Sequence, residues 1–200
     1  MTGLIPNINP LILFFASILT SNILLTNFLG MCSFISISKD LKSSNGLGVA
    51  VTLVMTVTTA LNWLIEKYII QPLDLGYLRY IVYIIVIAAV VQVLEMIIDR
   101  VSPTLYMVLG IFLPLITVNC AILGVALFMQ LRNYSFIQSV FFGLGSGIGW
   151  WLAIVLLAAI RKKTDNAPVP APLKGVGITL ITIGIMAMAF IGFAGMINVQ

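Results

Sequence analysis

The side chains of this sequence that are best suited to chemistry are two cysteines. The chain has 200 residues and no histidine, and its cysteines are Cys32 and Cys120. Each lies in an apolar stretch, Phe-Leu-Gly-Met-Cys-Ser-Phe at 28–34 and Phe-Leu-Pro-Leu-Ile-Thr-Val-Asn-Cys at 112–120. Cysteine thiolates bind soft metal ions and the iron of iron–sulfur clusters, so metal ligation is the chemistry to consider.

Two interpretations of these cysteines remain open at this point. A cysteine in an apolar helix is usually a small buried hydrophobic residue, and position alone favours that interpretation. The alternative is thiolate ligation of iron. A [2Fe–2S] cluster takes four cysteine ligands, and this chain has two and no histidine to substitute. A cluster here would therefore need a second polypeptide that supplies half of the ligands.

Glu95 and a group of glycines are the other candidates. Glu95 is the carboxylate that lies furthest inside an apolar segment, and an ionisable group in such a place is a functional candidate. It precedes Asp99 by about one helical turn, so pairing with Arg100 or a partner near a helix end is an equal alternative.

The alternate glycines of 143–149 lack the strand that a phosphate loop requires, and their spacing of four favours close packing of membrane helices.

The composition shows which elements must position these residues. Of all residues, 61% are hydrophobic and 8% are charged, whereas a soluble domain has about 25% charged residues. So few charges could not cover a globular core, and lipid must be the solvent for most of the chain. The spanning segments use up most of the length, so no soluble catalytic domain fits in the remainder.

The charged residues also divide the chain into apolar segments. A spanning helix needs about 20 apolar residues. Six runs lack Asp, Glu, Lys and Arg: 1–38, 43–65, 80–94, 101–131, 133–160 and 175–200. We therefore predict an all-α membrane protein, a single domain over 1–200, with six transmembrane helices. The predicted segments are Pro10–Ser38, Leu47–Ile70, Leu78–Ile98, Thr104–Leu131, Phe136–Ile160 and Val176–Ile197.

The six segments form two groups of three, at about 9–99 and 104–198. Each group begins with an overlong segment, and we expect both to be interrupted. The first should have a break near Asn27–Gly30, and the second a kink near Gly110–Pro114, where a proline removes a backbone hydrogen bond. Three helices per group means that a repeat is inverted across the membrane, as in many transporters. Inversion would bring the two cysteines toward each other.

The orientation follows from the basic residues in the loops. With the N-terminus outside, seven basic residues fall inside: Lys39, Lys42, Arg100, Arg161, Lys162, Lys163 and Lys174. Three fall outside: Lys67, Arg79 and Arg132. We therefore predict that both termini lie outside. The net charge of +4 reflects this asymmetry and does not indicate nucleic-acid binding. The N-terminus has no basic region or cleavage site, so we predict that it is not a signal peptide.

Several stretches resemble one family of membrane proteins. They are 27–32 (Asn-Phe-Leu-Gly-Met-Cys), 92–96 (Gln-Val-Leu-Glu-Met), 102–106 (Ser-Pro-Thr-Leu-Tyr), 109–121 (Leu-Gly-Ile-Phe-Leu-Pro-Leu-Ile-Thr-Val-Asn-Cys-Ala), 142–150 (Phe-Gly-Leu-Gly-Ser-Gly-Ile-Gly-Trp) and 169–175 (Val-Pro-Ala-Pro-Leu-Lys-Gly). The family contains the E subunit of the sodium-translocating NADH:quinone reductase and the A subunit of the Rnf complex. The stretches 30–33 and 145–150 look more like the former, and 72–79 looks more like the latter.

The resemblance implies a redox function that the residues alone leave open. Members of this family pair with a homologous membrane protein of opposite topology, of the D type, and each partner contributes two cysteines to a shared [2Fe–2S] cluster. Carried over, the ligands here are Cys32 and Cys120. The implied protein is a non-autonomous part of a sodium-translocating NADH:quinone reductase in the bacterial inner membrane, with both termini periplasmic.

The same resemblance assigns the remaining cofactors to other subunits. Flavins, NADH and further iron–sulfur centres would lie there, and the shared cluster would relay electrons from a cytoplasmic iron–sulfur donor toward a flavin on the opposite face. Two alternatives remain open: the A subunit of the Rnf complex, and a non-redox, transporter-like assembly protein in which the cysteines are passive.

Overall fold

The computed structural model describes residues 9–73, 76–101, 113–164, 166–168, 170 and 173–194, which form helices and turns without a β-strand. The helices are α1 (Pro10–Ile18), α2 (Met31–Ile37), α3 (Leu41–Ile65), α4 (Arg79–Val101), α5 (Leu113–Thr117), α6 (Cys120–Leu131), α7 (Phe136–Thr164) and α8 (Val176–Ala194). A π-helical turn, Glu66–Ile70, continues α3, and a 3-10 turn, Gly76–Leu78, leads into α4.

Four helical stretches among these residues are long and apolar enough to cross a membrane. They are Leu41–Ile70, Gly76–Ile97, Pro114–Leu131 and Phe136–Thr164, and a shorter apolar helix covers Val176–Gly192. The prediction of an all-helical chain with several membrane spans is confirmed for the described residues. The count of six spans and the inverted repeat stay predictions.

Local hydrogen bonds explain where several helices begin. The carboxylate of Asp40 accepts from the Ser43 backbone N–H at 3.2 Å and so caps α3. Before α7, Ser135 and Gln138 form a reciprocal capping pair, in which each backbone N–H donates to the side chain of the other. Basic residues at 161–163 occupy the last turn of α7, where positive charge is favoured by the helix dipole.

The central element is α7, which packs against α1 on one side and α3 on the other. An added Cβ at Gly145 would lie 2.7 Å from the Phe14 carbonyl oxygen, and one at Gly147 would lie 2.7 Å from Thr52 Cα. Backbones this close leave room for glycine alone, as is typical of membrane helices. The prediction that the glycines of 143–149 serve packing is confirmed.

The breaks in the two overlong segments are where the cysteines lie. The first segment consists of α1, an irregular stretch at 19–30 and α2, so the break includes the expected site at Asn27–Gly30. The second break falls at Val118–Asn119, beyond the expected Gly110–Pro114. Of that expected site, residues 110–112 lie outside the described part of the chain. Pro114 is the second residue of α5, where a missing N–H is tolerated, so it does not end the helix.

Candidate metal centre at the two helix breaks

Cys32 follows directly from the first break. Two residues there have left-handed backbone conformations, Phe28 with φ 55° and Gly30 with φ 82°. They turn the chain so that α2 starts at Met31. Cys32 is the second residue of α2, and its side chain is exposed on the surface of the chain.

Gly30 is required by its surroundings as well as by its φ. An added Cβ would lie 2.9 Å from Asn119 Oδ1 and 3.0 Å from both Ala121 Cβ and Trp150 Nε1. All three neighbours belong to the second break, to α6 or to α7. The backbone at Gly30 is therefore pressed directly against the elements that surround the other cysteine.

Cys120 is the first residue of α6, immediately after the second break. Asn119 is buried, and its Oδ1 accepts a hydrogen bond from the Ala121 N–H at 3.0 Å, which caps α6. The Cys120 side chain is exposed like that of Cys32.

Two hydrogen bonds join the two breaks, and a third, local bond ties Ser33 to Gly30. The Gly30 N–H donates to Cys120 Sγ at 2.9 Å. The amide Nδ2 of Asn119 donates to Ser33 Oγ at 3.3 Å, and that hydroxyl donates to the Gly30 carbonyl at 3.1 Å. Because Gly30 and Ser33 flank Cys32, the structure brings the two predicted site residues to one place on the surface.

The first break is held in shape by Asn22, which has none of its surface exposed. Its Oδ1 accepts from the N–H groups of Leu24 at 3.1 Å and Leu25 at 3.4 Å. Its Nδ2 donates to the carbonyls of Ile18 at 3.1 Å and Gly149 at 2.9 Å. One buried amide thus satisfies backbone groups that the break frees, as membrane burial demands.

The donor set fits half of a cluster site. Within the described ranges, no three His, Cys, Asp or Glu side chains come together as possible metal ligands, so the two thiols would need ligands from another chain to make four. The N–H donor to Cys120 Sγ is the kind of contact that tunes iron–sulfur centres. The indole N–H of Trp150, buried against Gly30, has no hydrogen-bond partner in the part of the chain described.

Glu95 lies within the apolar span Gly76–Ile97, as predicted, but the deeply buried carboxylate is Glu66, which was not singled out from the sequence. Glu66 is 5% exposed and Glu95 is only partly buried. Glu66 accepts from Arg79 Nη2 at 2.7 Å and Nε at 3.1 Å, and from the Tyr83 hydroxyl at 2.9 Å. Among the described residues this is the one ion pair, so the pairing considered for Glu95 with Arg100 is not formed there.

The sequence signal for Glu66 is present but ambiguous. Glu66 follows directly on a run without charges and lies near the end of the predicted segment Leu47–Ile70, a position that fits the membrane surface as well as the interior. The helical stretch continues to Ile70, as predicted, and carries Glu66 inward. Arg79 lies across the turn that follows, and only the fold shows that the two side chains meet.

Comparisons with known proteins identify the family of this chain. Residues 11–197 match the family described as "Rnf-Nqr subunit, membrane protein". The chain is 51% identical to the E subunit of the sodium-translocating NADH-quinone reductase of Proteus mirabilis, over 92% of this chain and 96% of that protein. It is 50% identical to the protein of that name from Chlamydia trachomatis serovar L2, over 94% and 82%.

A relative from the other branch is almost as similar. The A subunit of the ion-translocating oxidoreductase complex of Proteus mirabilis is 49% identical, over 94% of this chain and 97% of that protein. The family match covers nearly the whole chain, and relatives from both branches share about half of its residues. This chain therefore belongs to the Rnf-Nqr family of membrane subunits.

Proposed function

We propose that this chain is a membrane subunit of a sodium-translocating NADH:quinone reductase, and that it supplies Cys32 and Cys120 as half of the ligands of an intramembrane [2Fe–2S] cluster. The observation that carries the proposal is the junction at which the Gly30 N–H meets Cys120 Sγ. Two cysteines that are 88 positions apart in sequence thereby flank one exposed site.

The other two ligands would come from a homologous subunit of opposite topology. Support comes from the exposure of both thiols, which leaves them accessible to a second chain, and from the four-cysteine requirement of such a cluster. The proposed location is the bacterial inner membrane, with both termini periplasmic. Flavin, NADH and the remaining iron–sulfur centres belong, in this proposal, to other subunits.

The residues around the thiols have distinct roles in such a site. A bound [2Fe–2S] cluster supplies one-electron transfer. Ligation requires both thiols to lose their protons. Asn119 and Ser33 fix the distance between the two helix starts, while the Gly30 N–H holds the orientation of the Cys120 sulfur.

The cysteine assignment is tested in the purified complex by iron content and by electron paramagnetic resonance. Cys32→Ser and Cys120→Ser should each abolish the [2Fe–2S] signal and lower the iron content by about the two atoms of one cluster. Ser36→Ala, an exposed change one turn beyond Cys32 on α2, is the matched control and should leave both readings unchanged.

The opposite outcome identifies a non-redox subunit. A signal and iron content that persist in both serine variants would contradict the ligand assignment and favour a transporter-like role with passive cysteines. Coupling to ion movement is a separate part of the proposal. A Cys32→Ala complex that still moved sodium at the normal rate would contradict it.

The branch of the family is tested by the proteins that accompany the chain. The identities of 51% and 49% do not separate the two complexes, and the resemblance at 30–33 and 145–150 favours the quinone reductase. Copurification with an NADH-oxidising flavoprotein would support this branch. Copurification with a ferredoxin-linked protein would instead assign the chain to the Rnf complex.

A further inference from the structure

A basic cavity lies where α2 leads into α3 and where α7 ends. Its volume is about 310 Å³, and its walls are Lys39, Asp40, Leu41, Ala158, Lys162 and Asn166. The two lysines are exposed, and Ala158 is buried beneath them. The cavity therefore combines two ammonium groups at its mouth with an apolar floor.

Arg161 fixes the two walls of this cavity relative to each other. Its Nη1 donates to the Ile35 carbonyl at 2.9 Å and to Ser38 Oγ at 2.7 Å. Arg161 is the neighbour of Lys162, and Ser38 is the neighbour of Lys39. The bonds consequently hold the two lysines on opposite walls of one preformed site.

The carboxylate in the cavity does not neutralise the lysines. Asp40 Oδ2 accepts from the Ser43 N–H at 3.2 Å and from its hydroxyl at 3.0 Å, and these bonds hold the pKa of Asp40 below its usual value. In the described part of the chain, neither Lys39 nor Lys162 forms an ion pair. Among the described lining residues, two ammonium groups without an ion pair and one engaged carboxylate give this part of the cavity a net positive charge, which suits an anion.

An apolar groove lies along the same pair of helices. It has a volume of about 330 Å³ and is lined by residues of α3 (49–57) and of α7 (144 and 151). Thr52 and Thr56, the polar residues of α3 in its wall, donate their hydroxyl groups to carbonyls of their own helix. Between groove and cavity, Trp151 Nε1 donates to Asn45 Oδ1 at 2.8 Å.

Helical spacing places the cavity and the groove on one side of the α3–α7 pair. Leu144, Trp151 and Ala158 are seven residues apart, and Leu41 and Thr52 are eleven apart, so each set lies along one helix face. The rise from Leu41 to Leu53 is about 18 Å, and half of the hydrocarbon core is about 15 Å thick. The distance between the cavity and the groove thus matches the distance between the phosphate and the acyl chain of one phospholipid.

We propose that this surface binds an anionic phospholipid, with its phosphate between Lys39 and Lys162 and an acyl chain in the groove that Val49 and Trp151 line. Basic pockets between membrane helices are suited to anionic headgroups. The net positive charge selects an anionic lipid over a zwitterionic one, and the apolar groove selects a lipid over free phosphate.

The test uses the chain purified in detergent with the subunits that accompany it. Binding of dioleoyl phosphatidylglycerol, dioleoyl phosphatidylcholine and inorganic phosphate is measured by native mass spectrometry. The double variant Lys39→Gln/Lys162→Gln should weaken phosphatidylglycerol binding roughly tenfold or more, because each lysine near the membrane surface contributes about 1 kcal/mol. The matched variant Lys42→Gln/Lys163→Gln removes the same charge outside the cavity and should weaken it by less than about threefold.

A second pair of variants separates a lipid from a phosphate ion. Val49→Trp fills the groove and should weaken phosphatidylglycerol binding several-fold, whereas Ile81→Trp, at an exposed position of α4, should not. Equal binding of phosphatidylglycerol by the two lysine double variants would overturn the proposal. Full competition by inorganic phosphate, together with no effect of Val49→Trp, would also overturn it. A crosslinker at position 49 that captured another protein instead of a lipid would overturn it as well.

Discussion

The two breaks that precede the cysteines differ greatly in length. The first takes residues 19–30, with two left-handed residues and a buried amide that makes four hydrogen bonds. The second takes only Val118–Asn119 and one side-chain cap. The position of Cys32 therefore depends on tertiary contacts with α7, while that of Cys120 depends mostly on a local cap.

This difference determines which substitutions would displace each cysteine. A long break in a membrane frees several backbone groups, and each of them needs a partner because lipid offers none. Asn22 and Gly149 meet that need for the first break. A short break frees few groups, and Asn119 alone suffices, which leaves its Nδ2 available to reach Ser33 beside the other break.

The largest effect is expected at Gly30, where the two breaks touch. Gly30→Ala places a Cβ at φ 82° and 2.9 Å from Asn119 Oδ1. A left-handed conformation costs an L-residue about 1–2 kcal/mol, and overpacking costs a further 1–3 kcal/mol or so. Both the iron content of the complex and its thermal midpoint in detergent should fall.

Gly184→Ala is the matched control, since a Cβ there meets no atom within 4 Å. It replaces a helical glycine and should leave stability unchanged or slightly higher. If Gly30→Ala kept the iron content and thermal midpoint of this control, the close junction between the breaks would be wrong.

An intermediate effect should separate the two breaks. Asn22→Ala leaves the Leu24 and Leu25 N–H groups and the Gly149 carbonyl without these partners, at a cost of about 2–4 kcal/mol. Asn119→Ala removes a helix cap, at about 1 kcal/mol. Denaturation in detergent should therefore give the larger loss for Asn22→Ala, and an equal loss would remove the distinction drawn between the breaks.

The smallest effect is expected at Asp40, the charged cap of α3, and it can be compared with that at Asn119, the neutral cap of α6. The folded-state pKa of Asp40 is lowered by Ser43, so its stabilisation is present above the usual value of 3.8 and is lost as the pH falls through the folded value. Asp40→Asn should have a slightly lower thermal midpoint than the parent chain at pH 7. The difference should vanish on acidification, whereas that caused by Asn119→Ala should not.

The membrane character and the first break could be predicted from the sequence because both have local causes. Charge-free runs mark the spans, and Asn22, Asn27 and Gly30 are unusual inside an apolar segment. The break at Val118–Asn119 was not predicted, because Pro114 is conspicuous, whereas an asparagine that caps the helix starting at Cys120 is an ordinary residue. A proline early in a helix is tolerated, and the cap decides where α6 begins.

Contacts between distant residues could not be predicted in this way. The bond from Gly30 to Cys120 joins positions 90 apart, and nothing near either residue specifies it. Glu66 and Arg79 are similar, since a carboxylate at the end of an apolar run fits a loop equally well. The glycine spacing on α7 predicted close packing but not which helix each face would meet.

The π-helical turn at Glu66–Ile70 has a consequence for insertions and deletions. The Gln71 N–H donates to the Glu66 carbonyl at 2.9 Å, five residues back, so this turn holds one residue more than an α-helical turn. Because the wider turn absorbs its extra residue, deletion of a single residue here would restore α-helical spacing while the chain that follows keeps nearly the same face toward the core. The same deletion in the middle of α3 would rotate the chain that follows by about 100° and would turn Ile70, which is 2% exposed, out of the core. A one-residue deletion should therefore be far less harmful in this turn than in the middle of α3.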